Sequence, residues 1–71
     1  MRILFFGRLA ESFGRTVELD APDGATIATL RTLLALPDPA VRACVGEAIV
    51  GDDFAPESED EVEFWPRVSG G

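Results

Sequence analysis

The chain has 71 residues, of which 46% are hydrophobic, and its 13 acidic residues outnumber six arginines to leave a net charge of −7. A domain of this size buries only about 60% of the surface of its unfolded chain, which leaves little room for an enclosed active site. There is no histidine, lysine or tyrosine and only one cysteine, so an internal disulfide is excluded, a zinc site is disfavoured and the usual general bases are missing. We therefore expect a protein without metal or bound cofactor that is not catalytic alone.

The negative charge is concentrated in the last third of the sequence. Residues 1–46 carry five arginines and five acids, whereas residues 47–71 carry eight acids and only Arg67. Such a surface disfavours nucleic acid, and it either keeps the protein soluble or steers it toward a basic partner. The apolar stretch at residues 3–6 is too short to span a bilayer or to form the core of a signal peptide. We expect a cytoplasmic protein that binds neither nucleic acid nor membranes.

The beginning of the sequence predicts two strands. Residues 3–6 form a short apolar and aromatic run that is typical of a central strand. Residues 9–15 contain Ser12 and Gly14 and predict a connection of hairpin length. Residues 16–19 then alternate polar and apolar side chains, as a half-buried strand does. Two strands so close in the sequence are expected to pair antiparallel.

One main helix is predicted over residues 27–35. Thr26 is the candidate N-cap, because its hydroxyl can accept a hydrogen bond from a free amide of the first turn. The apolar side chains that follow with helical spacing are Ile27, Leu30 and Leu34. Prolines at positions 37 and 39 should end the helix, since proline lacks the backbone N–H and biases the preceding residue away from the helical region.

Three further strands are predicted at residues 41–45, 48–50 and 61–65, the last of which ends at Pro66. The order of the elements, with one main helix on one face of a mixed four- to five-stranded sheet, predicts an α+β domain of the ubiquitin-like β-grasp type over residues 1–66. Residues 67–71 are too few and too small to pack independently. We expect them to form a flexible tail, which spans roughly 17 Å when extended.

The alternation of side chains along the first and last strands predicts an exposed aromatic pair. Val62 and Phe64 share one face of the last strand, and Trp65 shares the other face with two glutamates, which marks the solvent side. The same reasoning places Phe6 on the exposed face of the first strand. If the two strands are neighbours, Phe6 and Trp65 form an apolar patch opposite the helix. Such patches usually mark partner surfaces; the alternative is that a loop or the tail covers them.

The sequence ends in two glycines, and this end carries its most evident reactive group. A carboxylate that follows residues without side chains can enter a narrow site, because no Cβ blocks the approach of another backbone. Gly70 supplies this clearance in our interpretation, and Gly71 supplies the carboxylate. By itself the doublet is a weak signal, since a disordered end also explains it. The lone Cys44 fits a small buried apolar residue better than a nucleophile, and the sequence leaves its burial open.

Several segments together resemble a known family. They are Leu-Phe-Phe-Gly-Arg-Leu-Ala-Glu at 4–11 with Gly14, Thr-Ile-Ala-Thr-Leu at 26–30, Asp-Glu-Val-Glu-Phe-Trp-Pro at 60–66, and Val-Ser-Gly-Gly at 68–71. They are similar to the MoaD-type small subunit of molybdopterin synthase, a ubiquitin-like sulfur carrier, over nearly the whole chain. One departure lies close to the end, where Arg67 follows Pro66 and the family often has a second proline.

The resemblance implies that Gly71 carries sulfur. An ionised carboxylate is a poor electrophile, so an E1-like adenylyltransferase would adenylate Gly71 with ATP and Mg²⁺ that the enzyme itself binds. A persulfide sulfur donor would then replace AMP and leave a thiocarboxylate. The large subunit of molybdopterin synthase would use this sulfur to convert cyclic pyranopterin monophosphate into molybdopterin. The implied partner-binding residues are Phe6, Trp65, Pro66, Arg67, Val68 and Ser69.

Other interpretations stay open. Sulfur carriers for thiamine, cysteine or tRNA thiolation have the same fold and tail, although the Leu-Phe-Phe-Gly strand and the Phe-Trp-Pro approach to the tail favour molybdopterin. A ubiquitin-like modifier would form an isopeptide bond through Gly71, but without lysine it could not build lysine-linked polymers of itself. A calcium-binding module around Asp52 and Asp53 is the third interpretation, and that loop lacks the ligand spacing and central glycine of an EF-hand.

Overall fold

The computed structural model describes residues 1–36 and 40–66, which contain five strands and two helices. The elements in chain order are β1 (Arg2–Phe5), α1 (Arg8–Phe13), β2 (Thr16–Glu18), α2 (Ile27–Leu33), β3 (Arg42–Val45), β4 (Ala48–Val50) and β5 (Glu61–Trp65). All five strands therefore lie where the sequence predicts them, within a residue or two. The prolines at 37 and 39 and the predicted tail at 67–71 lie outside the described residues.

The strands form one mixed sheet in the order β2-β1-β5-β3-β4. β1 pairs antiparallel with β2 and parallel with β5, and β3 pairs antiparallel with both β5 and β4. The first and last strands of the chain are thus neighbours at the centre of the sheet, which meets the condition for the predicted aromatic patch. A parallel central pair needs a crossover connection, and α2 lies within it. This arrangement confirms the predicted β-grasp class.

The predicted cap of the main helix is confirmed. The Thr26 side chain accepts a hydrogen bond from the backbone N–H of Thr29 at 3.3 Å. Two further amides at this end donate to the loop before β5, from Ile27 to the Phe54 carbonyl at 2.9 Å and from Ala28 to the Asp52 carbonyl at 3.1 Å. The amides that a helix leaves free at its start are therefore satisfied by a side chain and a loop.

Replacing Thr26 with alanine is expected to lower the free energy of unfolding by about 1 kcal/mol, because the Thr29 amide loses its partner. Denaturant-induced unfolding measures this difference. Thr32→Ala is the matched control, since the Thr32 hydroxyl donates to the Ala28 carbonyl within the helix and alanine is a better helix former. Equal losses in the two variants would show that the cap contributes nothing.

The connection of hairpin length expected at residues 9–15 is wrong, because this segment contains the short helix α1. Its apolar residues Leu9 and Ala10 lie one turn before Phe13, and all three pack on the core. The Phe13 ring stacks on the Phe5 ring with centroids 4.9 Å apart. With only six residues, α1 is too short for hydrophobic periodicity to reveal it, and tertiary packing rather than propensity stabilises it.

The hydrophobic core lies between α2 and the inner face of the sheet. Its buried members are Ile3, Phe5, Ala25, Ile27, Leu30, Val41, Ala43, Val62 and Phe64. Arg31 connects α2 to the rest of the domain: it donates to Asp52 Oδ1 at 2.9 Å and to the Val41 carbonyl at 2.6 Å. Its guanidinium also lies 5.8 Å from the centre of the Phe64 ring.

Neither α1 nor α2 is long and apolar enough to cross a membrane, and the described residues form no other α-helix.

Candidate functional site

The face of the sheet opposite α2 carries the aromatic residues that the sequence predicts for partner contact. Strand register places Leu4 beside Glu63, and Glu63 beside Cys44. Ile49 follows next to Cys44 on β4. We call this surface the outer face. The alternation predicted for β5 is confirmed, since Val62 and Phe64 are buried and Trp65 is 42% exposed.

Phe6 and Trp65 form a close parallel stack on the outer face. Their ring centroids are 4.0 Å apart and their planes differ by 1°. The Phe6 amide donates to the Phe64 carbonyl at 3.1 Å and so continues the β1–β5 pairing by one residue. The Trp65 indole is held on a second side, because its Nε1 donates to Glu63 Oε1 at 3.1 Å. Both rings are thus positioned before any partner arrives.

The sequence prediction for Phe6 needs a correction. The alternation of side chains predicts an exposed ring, whereas the structure shows Phe6 half-buried. The reason is the stack itself, since the indole of Trp65 covers one face of the phenyl ring. Strand alternation decides which way a side chain points, but a neighbour on the same face decides how much of it remains exposed.

A shallow apolar cavity of about 210 Å³ adjoins Trp65. It is lined by Arg42, Cys44, Ile49, Trp65 and Pro66. Ile49 is 66% exposed and was not among the predicted site residues, because no polar side chain in Ala-Ile-Val marks the solvent face of β4. Cys44, whose burial the sequence leaves open, is half-buried here. The outer face therefore presents more apolar surface than the aromatic pair alone.

Pro66, the last described residue, lies at the edge of this surface. Pro66 lines the cavity beside Trp65 and also a groove along α1 that contains Leu9, Phe13 and Val41. The structure thus brings Phe6, Trp65 and Pro66 together. The other predicted site residues, Arg67, Val68, Ser69, Gly70 and Gly71, lie outside the described part of the chain.

The other end of the outer face is charged. Arg2 lies between Glu18 and Glu61, at 3.4 Å and 3.2 Å from their carboxylate oxygens. The hydrogen bonds to Glu18 and Glu61 raise the pKa of Arg2 above its ordinary value. Exposed ion pairs of this kind contribute little to stability. Within residues 1–36 and 40–66, no group of three or more His, Cys, Asp or Glu side chains could hold a metal ion.

The fold agrees with what comparison with known proteins finds. The model of the ThiS family matches residues 3–71, and the chain therefore belongs to the ThiS family. The sequence is 32% identical to the molybdopterin synthase sulfur carrier subunit of Escherichia coli strain K12, over 80 aligned residues that cover all of this chain and 99% of the relative. The resemblance drawn from the sequence segments is thus confirmed.

Solved structures support the same fold. Two crystal structures of small archaeal modifier protein 1 from Haloferax volcanii each superimpose with a TM-score of 0.79. Their identities are 24% and 23%, and they cover 99% and 94% of this chain and 97% and 95% of their own. At this identity the likeness concerns the fold alone.

Proposed function

We propose that the protein is the sulfur carrier of a molybdopterin synthase and that Gly71 bears the sulfur as a thiocarboxylate. One observation carries most of the argument: the family similarity runs to residue 71, so that the Gly-Gly end lies within the matched region. The relative from Escherichia coli, whose name describes this role, aligns with the whole chain. Gly70 has no side chain and gives the carboxylate clearance in a narrow site.

The chemistry requires partners, because the carboxylate of Gly71 must first be activated. An E1-like adenylyltransferase transfers AMP from ATP to this carboxylate, with Mg²⁺ bound by the enzyme, and pyrophosphate leaves. A persulfide sulfur then displaces AMP at the carbonyl carbon, and a thiol cleaves the sulfur–sulfur bond to release the thiocarboxylate. This chain contributes the reacting terminus and its presentation. Acid–base groups come from the partners, which accords with a sequence that has no histidine, lysine or tyrosine.

The outer face provides the anchor for these partners in our proposal. Trp65 and Ile49 are exposed large apolar residues, and aromatic side chains at the centre of an interface carry much of its binding energy. Pro66 borders the same surface, so a partner bound there meets the start of the tail. Five extended residues reach roughly 17 Å from this point. The acidic last third of the chain favours a partner with basic residues around its apolar contact.

Mass spectrometry of the intact protein from cells tests the proposal. The expected result is a population in which one terminal oxygen of Gly71 is replaced by sulfur, and this population disappears when the adenylyltransferase is absent. Only free carboxylate in the presence of an active adenylyltransferase and sulfur donor would contradict a sulfur carrier. Isopeptide products would instead identify a protein modifier.

The pathway needs a separate experiment. The thiocarboxylated protein is combined with candidate large subunits of molybdopterin synthase and with cyclic pyranopterin monophosphate. We expect conversion to molybdopterin with the cognate large subunit. If this conversion fails while a thiamine, cysteine or tRNA thiolation system accepts the sulfur, the protein is a carrier for that pathway.

A further inference from the structure

Gly7 lies between β1 and α1 and touches the residue at which the tail begins. Its backbone has φ +58° and ψ −142°, a combination that residues with a Cβ rarely adopt. A Cβ added at this position would lie 2.8 Å from Pro66 Cγ and 3.4 Å from Pro66 Cδ. The first distance is well inside the van der Waals contact of two carbon atoms. The ring of Pro66 therefore occupies the space that a side chain at position 7 would need.

This contact lies where the central strand pair ends. Here the Phe6 amide donates to the Phe64 carbonyl at 3.1 Å. Gly7 and Pro66 follow on either side of it, and the proline ring fixes its own φ. The backbone of Gly7 thus forms one wall for the Pro66 ring, while the cavity beside Trp65 and the groove along α1 border it elsewhere.

We propose that Gly7 is a positioning residue, whose close contact with the Pro66 ring sets the direction in which the tail leaves the sheet. The inference rests on the proposed function, since it concerns the presentation of Gly71. The Pro66 ring fixes the point from which the tail departs, so a displaced ring changes the positions that Gly71 can reach. Reaction rates fall steeply with misplacement of the reacting atoms, by about 100-fold for an error near 1 Å.

The chain offers a matched control at the other end of the same helix. Gly14 follows α1 with φ +88° and ψ 164°, which is also a conformation that residues other than glycine rarely adopt. A Cβ added at Gly14 has nothing within 4 Å. Gly14→Ala therefore introduces comparable backbone strain beside α1 without touching Pro66, whereas Gly7→Ala introduces strain together with the collision.

Adenylation of the full-length chain by the activating enzyme, followed as ATP–pyrophosphate exchange, tests the inference. The midpoint temperature of thermal unfolding is expected to be lower in both glycine variants than in wild type. At saturating carrier concentration, kcat is expected to fall tenfold or more for Gly7→Ala and to stay within twofold of wild type for Gly14→Ala. Replacing Pro66 with alanine removes Cγ and Cδ from the contact. In that background Gly7→Ala and Gly14→Ala should have the same kcat.

Two further measurements keep the outcome decisive. Pro66→Ala alone should lower kcat without straining Gly7, so the inference stays testable even where Gly7→Ala fails to fold. Fluorescence of Trp65, the only tryptophan, should change in Gly7→Ala and not in Gly14→Ala. Equal kcat in both glycine variants of an active carrier would overturn the role of Gly7. If wild type itself is never adenylated, the proposed function fails, and an unchanged fluorescence spectrum in Gly7→Ala would separately refute the contact.

Discussion

Deletion of Gly71 is expected to abolish sulfur transfer and to leave the domain folded. The variant ends at Gly70, so its carboxylate lies about 3.5 Å short of the position that the activating enzyme requires. A displacement of this size exceeds what positioned chemistry tolerates, and we expect a loss of at least about 100-fold in adenylation. The buried core lies between Ile3 and Phe64, so the free energy of unfolding should change by less than about 0.5 kcal/mol.

Intact mass spectrometry measures the loss of thiocarboxylation, and thermal unfolding measures whether the domain keeps its stability. Gly71→Ala is the matched control, because it keeps the length and the carboxylate and adds one methyl group. We expect Gly71→Ala to be thiocarboxylated, but more slowly than wild type, because the added methyl group reduces the clearance and leaves the carboxylate in place. Unfolding of the truncated chain would contradict a tail that contributes nothing to the core. Efficient thiocarboxylation at Gly70 in the truncated chain would contradict the assignment of the reaction to Gly71.

Replacing Trp65 with alanine is expected to weaken the proposed complex with the large subunit by about 2 kcal/mol, which is roughly a 30-fold rise in Kd. The indole is the largest exposed apolar side chain of the outer face, and its orientation is held by the Phe6 ring and Glu63. Loss of the stack should lower the free energy of unfolding by only about 1 kcal/mol. Isothermal titration calorimetry of the two subunits measures Kd, and denaturant-induced unfolding measures the free energy of unfolding.

Leu33 is the control residue for this experiment. It is 50% exposed, which is slightly more than Trp65, but it lies on α2, on the opposite side of the sheet. We expect Leu33→Ala to leave Kd within twofold of wild type. A second variant, Ile49→Ala, should raise Kd several-fold because Ile49 borders the same apolar cavity. If Leu33→Ala weakens the complex more than Trp65→Ala does, the partner binds the helical side instead.

Much of the fold could be predicted because its signals are local. Alternation along β5 separates the buried Val62 and Phe64 from the exposed Trp65, and this alternation is a property of the extended backbone itself. Thr26 caps α2 because its hydroxyl lies next to the first free amides of the helix. Neither result depends on distant parts of the chain.

Other features could not be predicted from the sequence because they depend on packing between distant segments. The helix α1 forms where Phe13 can stack on Phe5. Its six residues are too few for hydrophobic periodicity to predict a helix. Ile49 joins the site only because β4 lies beside β3, two strands away from the aromatic pair. The close contact of Gly7 with Pro66 joins residues that are far apart in the sequence.

The sequence by itself determined the β-grasp class and the inward and outward faces of the strands, and it predicted the carboxylate of Gly71 as the reactive group. These properties follow from backbone geometry and from the kinds of side chain present. Only the tertiary structure decided that Phe6 stacks on Trp65 with centroids 4.0 Å apart and that the Pro66 ring lies against Gly7. Both contacts arise from the parallel pairing of the first and last strands, which brings the carboxyl ends of these two strands together at Pro66.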